Sequence, residues 1–522
     1  MRLDTQLRCW RGLVPGLMVA TAATVAGGFA RADVKLPAIF SDHMVLQRDQ
    51  KDRVWGWAEP GEDVTVTIHG QSKTAKADAD GKWQVMLDPI PTGGPYELVV
   101  KGKNTVTFKD VLSGEVWICS GQSNMGMSVA ASDDADLEIR TAKHPRIRLI
   151  SVPNKGTQEP QSDFQGRWQP CSPETVGDFS AVGYFFGRQL YESLGVPIGL
   201  IDNAWGGSSC EAWIPRERLA ADTRYKDLLA SWEEREQKLP EAKKAFEAYQ
   251  AEAARAKAEG KPAPRTVQNP DAEMHGNHRP GNIFNGSLLP TIGYGIRGAV
   301  WYQGENNAGR AYQYRDLFPL MIQIWRELWG QGDFPFYWVQ LADFRAEKPE
   351  PAESDWAELR EAQTMTLKLP NTGQAVIIDI GEGKDIHPRN KQTVAKRLAR
   401  WALARDYGVD VPHQSPTYRS MEKKDGKVVL TFDHVDGGFR PFDVANPVGF
   451  TIAGADKKFV NAEAKVVGPN KVEVWSSAVA EPVAVRYAWA DNPVCNLYSK
   501  VGLPTTPFRT DDWPGVTVDK TR

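Results

Sequence analysis

The segment "VWICSGQSNMGMS", residues 116–128, begins as an apolar strand and passes into small and polar residues centred on Ser123. In α/β proteins, functional side chains sit where parallel strands end, at the carboxyl edge of the sheet. A lone serine more often belongs to a polar turn, and "GQSNM" lacks the second glycine of a G-x-S-x-G nucleophile elbow. Catalysis by Ser123 therefore requires that other strand ends supply a base and oxyanion donors.

Around this segment, apolar strands alternate with helical patterns over residues 113–410. This alternation predicts an α/β domain with a mostly parallel sheet covered by helices on both faces. The predicted strands are residues 116–118, 147–152, 196–202, 296–302, 336–341 and 375–380. One helix carries apolar residues at helical spacing, which we assign to the core: Val182, Phe185, Phe186, Leu190 and Leu194.

Two flanking regions have a different sequence pattern, with short alternating strands in place of helices. Residues 33–112 show short alternating strands separated by turns such as "EPGE" and "ADGK", which predicts a small β-sandwich. Residues 411–522 return to alternation in "KVVLTF" and "KVEVWS", which predicts a second β-rich region. Within the central region, residues 216–261 are rich in charged residues and alanine, and they predict an inserted helical hairpin broken at Pro240. We expect solvated helices there, with a lid over the site as the alternative.

The N-terminus has the pattern of an export signal. Basic residues precede an apolar run at 13–26, and small residues at Ala30 and Ala32 predict cleavage before Asp33. Residues 1–32 are therefore interpreted as a signal peptide, and the mature protein as periplasmic or extracellular. No later segment has the ~20 consecutive apolar residues that a membrane helix needs. The formal net charge of −3 over 522 residues indicates no general attraction to nucleic acid.

Export affects how the cysteines are interpreted. Cleavage would remove Cys9 and leave four cysteines in an oxidising compartment, where disulfides persist. None of the four lies in a C-x-x-C motif or in a Cys/His cluster, so a structural zinc site is not expected. Either a disulfide or buried thiols would fit the remaining cysteines: Cys119, Cys171, Cys210 and Cys495.

Among the eight histidines, His387 is the best candidate for a base. It lies in "DIGEGKDIHPRNK", after a predicted strand, and Asp385 is close enough to orient its imidazole. His275 and His278 have i, i+3 spacing, but no carboxylate or cysteine set completes a metal site, so we assign them to a loop.

Two further strand ends offer donors for an oxyanion. "NAWGGSSCEAW" places Gly206 and Gly207 where a substrate can approach the backbone amides closely. "QGENNAG" follows the predicted strand at 296–302, and Gln303 there carries a side-chain NH₂ group. Four loops, each after a predicted strand, would thus meet at one edge of the sheet.

The segments "GQSNM", "WGGS", "RPGNIFNG", "GIRGAVWYQGENN" and "DIHPRNK", in this order, resemble the sialate O-acetylesterase family of carbohydrate esterases, a branch of the SGNH hydrolases. The likeness extends over most of the chain after residue 32. It implies a flavodoxin-like, three-layer α/β/α hydrolase domain. It also implies that Ser123 is the nucleophile, His387 the general base and Asp385 its partner. The implied oxyanion donors are the Ser123 amide, Gly206 or Gly207, and Gln303, with Asn306 or Asn307 as alternatives to Gln303.

The resemblance implies hydrolysis of an acetylated sugar through an acyl-enzyme, without a metal or cofactor. Either O-acetyl sialic acid or an acetylated xylan or xyloglucan would fit as substrate. A glycan-binding protein without catalysis and a secreted serine peptidase are the alternatives from other classes. Side chains near the motifs that stack on or bind a sugar in this reading are Trp205, Trp213, Glu305 and Asn307. For Glu305 we favour a role in holding the loop, because buried carboxylates need structural donors.

Overall fold

The computed structural model describes residues 33–522. The predicted signal peptide, residues 1–32, lies outside the described residues, as does Cys9.

Strands β2 to β6 form antiparallel pairs ahead of the central sheet. Strand β3 pairs with β4 and β6, and β2 pairs with β5. Alternate residues of β5 are buried, as the alternating sequence predicts for a sheet with one face on the core. The strands are β1 (Val45–Gln47), β2 (Asp52–Trp57), β3 (Asp63–Ile68), β4 (Gln71–Lys76), β5 (Lys82–Leu87) and β6 (Gly93–Lys101).

A single long strand, β7 (Thr105–Gly121), leads from this region into the central sheet. Its first part alternates between exposed and partly buried residues and pairs antiparallel with β6. From Val111 onward every residue is buried, and the strand pairs in parallel with two strands of the central sheet. The boundary predicted between residues 112 and 113 therefore falls inside a continuous strand.

The central sheet runs in the order β13-β12-β11-β7-β10-β8-β9. Its neighbours pair in parallel except for β9, which pairs antiparallel with β8, so this part of the sheet is mixed. The strands that join β7 are β8 (His144–Ser151), β9 (Gln169–Cys171), β10 (Ile198–Ala204), β11 (Gly298–Tyr302), β12 (Phe336–Val339) and β13 (Thr372–Ala375).

One strand prediction is displaced. The apolar run at 375–380 was expected to form the last strand, but β13 ends at Ala375. Val376 and Ile378 instead pack into a separate core with the C-terminal strands, so burial and not sheet pairing accounts for their apolar character. The chain then turns toward the His387 loop.

Helices lie against both faces of the central sheet. Val116 and Ile118 of β7 share a core with helices α8 and α9, whose ranges are given below. Trp117 and Cys119 point to the other face and share a core with α3 and α10. The helices are α1 (Ser123–Gly126), α2 (Ala135–Thr141), α3 (Ala181–Leu194), α4 (Arg216–Ala220), α5 (Lys226–Gln237), α6 (Leu239–Ala258), α7 (Pro270–Met274), α8 (Ala311–Trp329), α9 (Asp355–Met365) and α10 (Lys391–Arg405).

The predicted insertion at 216–261 consists of α4, α5 and α6. Pro240 lies at the first turn of α6, where proline is tolerated because no helical bond is lost. Helix α5 buries Leu228, Leu229 and Trp232, whereas α6 buries no residue. Among residues 33–522, no helix is long and apolar enough to cross a bilayer.

The C-terminal region is rich in strands, as its alternating sequence predicts. Short antiparallel sheets enclose their own apolar core, which also contacts the segment after β13. The strands are β14 (Thr417–Lys424), β15 (Lys427–Asp433), β16 (Phe439–Pro441), β17 (Phe450–Ala453), β18 (Phe459–Asn461), β19 (Glu463–Gly468), β20 (Lys471–Trp475), β21 (Ala484–Tyr487), β22 (Leu497–Ser499) and β23 (Phe508–Arg509). The chain is thus an α/β protein with a central mixed sheet and additional β-rich regions.

The four cysteines of the described chain are free thiols, so of the two sequence interpretations the structure has the buried thiols. Cys119 and Cys210 are fully buried, and this burial raises the pKa of both thiols. A raised thiol pKa leaves little of the reactive thiolate at neutral pH.

Gly121, the last residue of β7, allows the close approach of β11 that sets the start of the Ser123 turn. Its φ is +141°, and an added Cβ would lie 2.2 Å from the Tyr302 carbonyl oxygen. We expect Gly121→Ala to cost about 2 kcal/mol in unfolding free energy, because backbone must shift. Urea denaturation checks this.

The matched control for this change is Gly309→Ala, since nothing lies within 4 Å of a Cβ added at Gly309. Equal stability of the two variants would contradict the packing argument for Gly121.

Candidate active site

Four loops meet at the carboxyl edge of the central sheet. Ser123 follows β7, Gly206 follows β10, Gln303 follows β11, and His387 lies in the loop between β13 and α10. The first three strands are adjacent in the order β11-β7-β10, which places their loops side by side. His387 comes from farther along the sheet, so its loop must reach across two strands.

The structure brings Ser123, His387 and Asp385 together. His387 Nε2 lies 2.8 Å from Ser123 Oγ. His387 Nδ1 lies 3.2 Å from Asp385 Oδ1, which also accepts a hydrogen bond of 2.9 Å from the His387 backbone amide. That amide lowers the pKa of Asp385, so the carboxylate is ionised at neutral pH. The arrangement orients one imidazole between a hydroxyl and a carboxylate.

The Asp385 side chain is 61% exposed, unlike the buried aspartate of a serine protease triad. Its charge is therefore screened by solvent, and its main contribution is to fix the imidazole tautomer and the conformation of the loop.

The backbone of the glycine loop lies close to Ser123. A Cβ added to Gly206 would lie 3.4 Å from Ser123 Cβ and 4.0 Å from Ser123 N, so the two backbones are close. Among residues 33–522, neither the Ser123 nor the Gly206 amide has a hydrogen-bond acceptor. Gly207, with φ of +71°, faces the Asn277 side chain instead. Gly206 is thus better placed than Gly207 to donate to an oxyanion beside Ser123.

Gln303 does not offer its amide as an oxyanion donor, which corrects the expectation from the sequence. The side chain is fully buried, and Nε2 donates to the Ser208 carbonyl at 3.0 Å and to Asn307 Oδ1 at 2.7 Å. Its Oε1 accepts from the Tyr314 hydroxyl at 2.9 Å. Both amide hydrogens are therefore used in joining the glycine loop to the loop after β11.

Asn307 is likewise part of the scaffold and not of a sugar-binding surface. It is buried, its Oδ1 accepts from the Cys210 amide, and its Nδ2 donates to Glu211 at 3.0 Å.

Trp213 also belongs to the core. It is 0% exposed, packs edge-on against Trp301, and donates its indole N–H to Ser208 Oγ. Trp205 is only partly buried, and its amide donates to the Gly121 carbonyl. Of the predicted aromatic sugar contacts, Trp205 alone keeps an accessible surface close to Ser123.

Asn124, which the sequence analysis did not single out, links three of the loops. Its Nδ2 donates to Glu305 Oε1 at 2.7 Å and to the Ile386 carbonyl at 3.0 Å. Its Oδ1 accepts from Lys391 Nζ at 2.6 Å. Asn124 follows Ser123 and Ile386 precedes His387, so one amide side chain sets the distance between the two reactive residues.

Buried charges surround this amide. Burial lowers the pKa of Lys391 to about 7, although Glu305 and Glu382 act in the opposite direction. Burial also raises the pKa of Glu305, and the hydrogen bond from Asn124 counteracts this increase. The Glu305 carboxylate thus bonds the loop after β11 to the Ser123 turn through Asn124.

Metal binding is not supported by the residue types at this site. Among residues 33–522, no group of three or more His, Cys, Asp or Glu side chains is arranged to hold a metal ion. His275 and His278 both make hydrogen bonds within loops, consistent with the loop assignment.

The geometry combines a hydroxyl bonded to an oriented imidazole with two free amides beside it, the parts that acyl transfer requires. A family model described as "carbohydrate esterase, sialic acid-specific acetylesterase" matches residues 113–262. Together these findings define the class of the protein, a carboxylic ester hydrolase among the carbohydrate esterases.

The similarity extends well beyond that segment. Sialate O-acetylesterase of Mus musculus is 31% identical over 94% of this chain and 96% of its own length. The Homo sapiens enzyme of the same name is 30% identical over 97% of this chain and 98% of its own length. A crystal structure of a carbohydrate acetylesterase from Xanthomonas citri has a TM-score of 0.78 and 38% identity, covering 92% of this chain and 100% of that one. The chain belongs to the sialate O-acetylesterase family.

Lys391→Met should change how stability depends on pH. A lysine with a pKa of about 7 when folded and ~10.4 when unfolded binds fewer protons in the native state between these values. Unfolding free energy then rises with pH over that range in the unsubstituted protein. We expect the stability of Lys391→Met relative to the unsubstituted protein to fall by about 1 kcal/mol or more from pH 6.5 to 9.5.

Urea denaturation at both pH values measures this difference. Lys396→Met, on the exposed face of the same helix, is the control and should show no such trend. A pH-independent difference for Lys391→Met would mean that Lys391 stays charged throughout.

Proposed function

We propose that the protein is a serine esterase that removes O-acetyl groups from carbohydrates, with Ser123 as nucleophile and His387 as general base. The observation that carries this proposal is the 2.8 Å contact between His387 Nε2 and Ser123 Oγ, made by residues 264 positions apart in the chain. Family membership supports the reaction class, because relatives over nearly the whole chain are named for deacetylation of a sugar acid.

In the proposed mechanism, His387 Nε2 takes the Ser123 proton as Oγ attacks the acetyl carbonyl carbon. The amides of Ser123 and Gly206 donate to the oxyanion of the tetrahedral intermediate. The sugar alcohol leaves with the proton from His387, and the acetyl group stays on Ser123. Water, deprotonated by His387, then attacks the acyl-enzyme and releases acetate. Asp385 keeps the Nδ1 proton of His387 in place, so that Nε2 is the basic nitrogen.

We infer that O-acetyl sialic acid is the first substrate to test, because the mouse and human relatives carry the name sialate O-acetylesterase. The relative from Xanthomonas citri is described only as a carbohydrate acetylesterase. Acetylated xylan or xyloglucan fragments therefore form the second arm of the same experiment.

We also propose the finer assignments that the sequence predicts. These are a flavodoxin-like SGNH core for residues 113–410, flanking β regions at 33–112 and 411–522, and export with cleavage after Ala32. The parallel pairing of β10, β7, β11, β12 and β13 supports the first of these assignments. The basic and apolar N-terminal sequence supports the last.

Ser123→Ala should reduce acetate release by at least ~10³-fold from whichever glycan the enzyme accepts, because no other group can form the acyl-enzyme. The measurement is acetate release by residues 33–522 from O-acetyl sialic acid and from acetylated xylo-oligosaccharides. Ser128→Ala, in the same turn region, is the control and should keep activity. Release that survives Ser123→Ala would refute the proposed nucleophile.

Asn124→Ala should lower kcat by roughly 10²-fold while KM changes less, because a shift of about 1 Å in the His387 loop misaligns proton transfer. Steady-state kinetics on an acetyl ester measures both constants, and circular dichroism verifies folding. Asn390→Ala, which removes the N-terminal cap of α10 without touching the Ser123 turn, controls for general loosening of the loop. A similar loss in both variants would argue against a specific positioning role.

A further inference from the structure

A cavity of about 510 Å³ lies beside the glycine loop, with Ser209 in its lining. Its volume falls within the range of small-molecule sites, and it exceeds what an acetyl group alone requires. One wall comes from α5 of the insertion, through Trp232 and Arg235, and another from the loop after α7, through Asn277 and His278. Neither the insertion nor this loop has a role in the reaction described above.

The cavity is connected to the reactive serine through direct contacts. Asn277 Nδ2 donates to the Gly206 carbonyl at 2.5 Å, and the Asn277 carbonyl accepts from the Ser209 amide at 3.1 Å. Gly206 in turn lies against Ser123. The cavity lining and Ser123 therefore contact the same short loop, Gly206 to Ser209.

His278 presents a hydrogen-bond donor of fixed position to this cavity. Its Nδ1 lies 3.1 Å from Ser209 Oγ and 3.1 Å from Asn306 Nδ2, and Asn306 Nδ2 also donates to Ser209 Oγ. An amide nitrogen can only donate, so Nδ1 accepts and the imidazole proton resides on Nε2.

The Nε2–H group has no acceptor among residues 33–522, and His278 lines the cavity. Removal from water lowers the pKa of His278, so the ring stays neutral and keeps this tautomer near pH 7.

Arg235 adds further donors to the lining of the cavity. One of its N–H groups bonds to Glu273 at 3.1 Å, and its guanidinium lies 4.6 Å above the Trp232 ring. The other N–H groups of Arg235 have no acceptor in the described chain, and the side chain is half exposed. Directed donors with no internal acceptor suit a ligand rich in oxygen atoms.

We propose that this cavity binds the sugar part of the ester substrate, and that His278 Nε2–H donates a hydrogen bond to a sugar oxygen. This inference rests on the proposed function and adds the place of the sugar and a specificity-determining residue. It gives the inserted helix α5 a role as a wall of the substrate site.

Two substitutions separate a ligand contact from a structural one. His278→Asn places its amide near the position of Nδ1, which keeps the contacts to Ser209 and Asn306 but removes the donor in the cavity. His278→Gln reaches the position of Nε2 and restores a donor there. The readout is the ratio of kcat/KM for an acetylated sugar to kcat/KM for p-nitrophenyl acetate, which has no sugar.

We expect His278→Asn to lower this ratio by roughly 3- to 10-fold, the effect of losing one neutral hydrogen bond, and His278→Gln to recover most of it. His275→Asn is the matched control, because His275 lies in the same loop, bonds to the Gly156 carbonyl and does not line the cavity. Its ratio should stay at the unsubstituted value.

Other outcomes overturn the proposal. A change in the kcat/KM ratio of less than twofold in His278→Asn would show that Nε2–H makes no bond to the sugar. An equal loss in His278→Asn and His278→Gln would show the same. Ser123→Ala tests the reaction itself separately. Hydrolysis of p-nitrophenyl acetate alone, with no acetylated sialic acid or xylo-oligosaccharide accepted, would overturn both this proposal and the proposed function.

Discussion

The hydrogen bonds of the Asn124 amide are the constraint on which the candidate site depends. Ser123 and His387 come from loops after β7 and β13, which have two strands between them in the sheet, so strand pairing alone does not place the two side chains together. Asn124 closes this gap by bonding to the carbonyl before His387 and to Glu305 of the intervening loop. The buried Lys391 side chain completes the amide's bonding. Partly satisfied buried charges are costly, so losing one member of this network should destabilise the others.

Much of the fold and the meeting of Ser123 with His387 were predictable because they depend on local pattern. An apolar strand followed by polar residues marks a strand end at the edge of a parallel sheet, and both Ser123 and His387 occupy such positions. The structure brings them within hydrogen-bonding distance. The buried faces of helices and strands were also predictable, because burial on one face gives apolar residues a period of 3.6 in a helix and 2 in a strand.

The other assignments were wrong where a residue's role depends on its tertiary neighbours, such as the groups that accept its hydrogen bonds. Gln303 carries a suitable donor, but Ser208 and Asn307 take both of its hydrogens. Trp213 is close to the site in sequence and yet lies in the core. Lys391 directly follows a helix-capping residue, a position usually exposed, and no sequence signal marks its burial. Val376 and Ile378 are apolar because they pack against the C-terminal sheets, a contact between segments far apart in the chain.

Strand β7 has a consequence for how the molecule holds together. It is hydrogen-bonded to β6 at one end and to β10 and β11 at the other, and its final turn carries Ser123. No linker separates the N-terminal β region from the sheet that carries the site, so the two share one continuous backbone ladder. Removing the N-terminal region would strip β7 of its antiparallel partner. The β region is thus joined to the sheet of the candidate site through a shared strand, and not through a flexible tether.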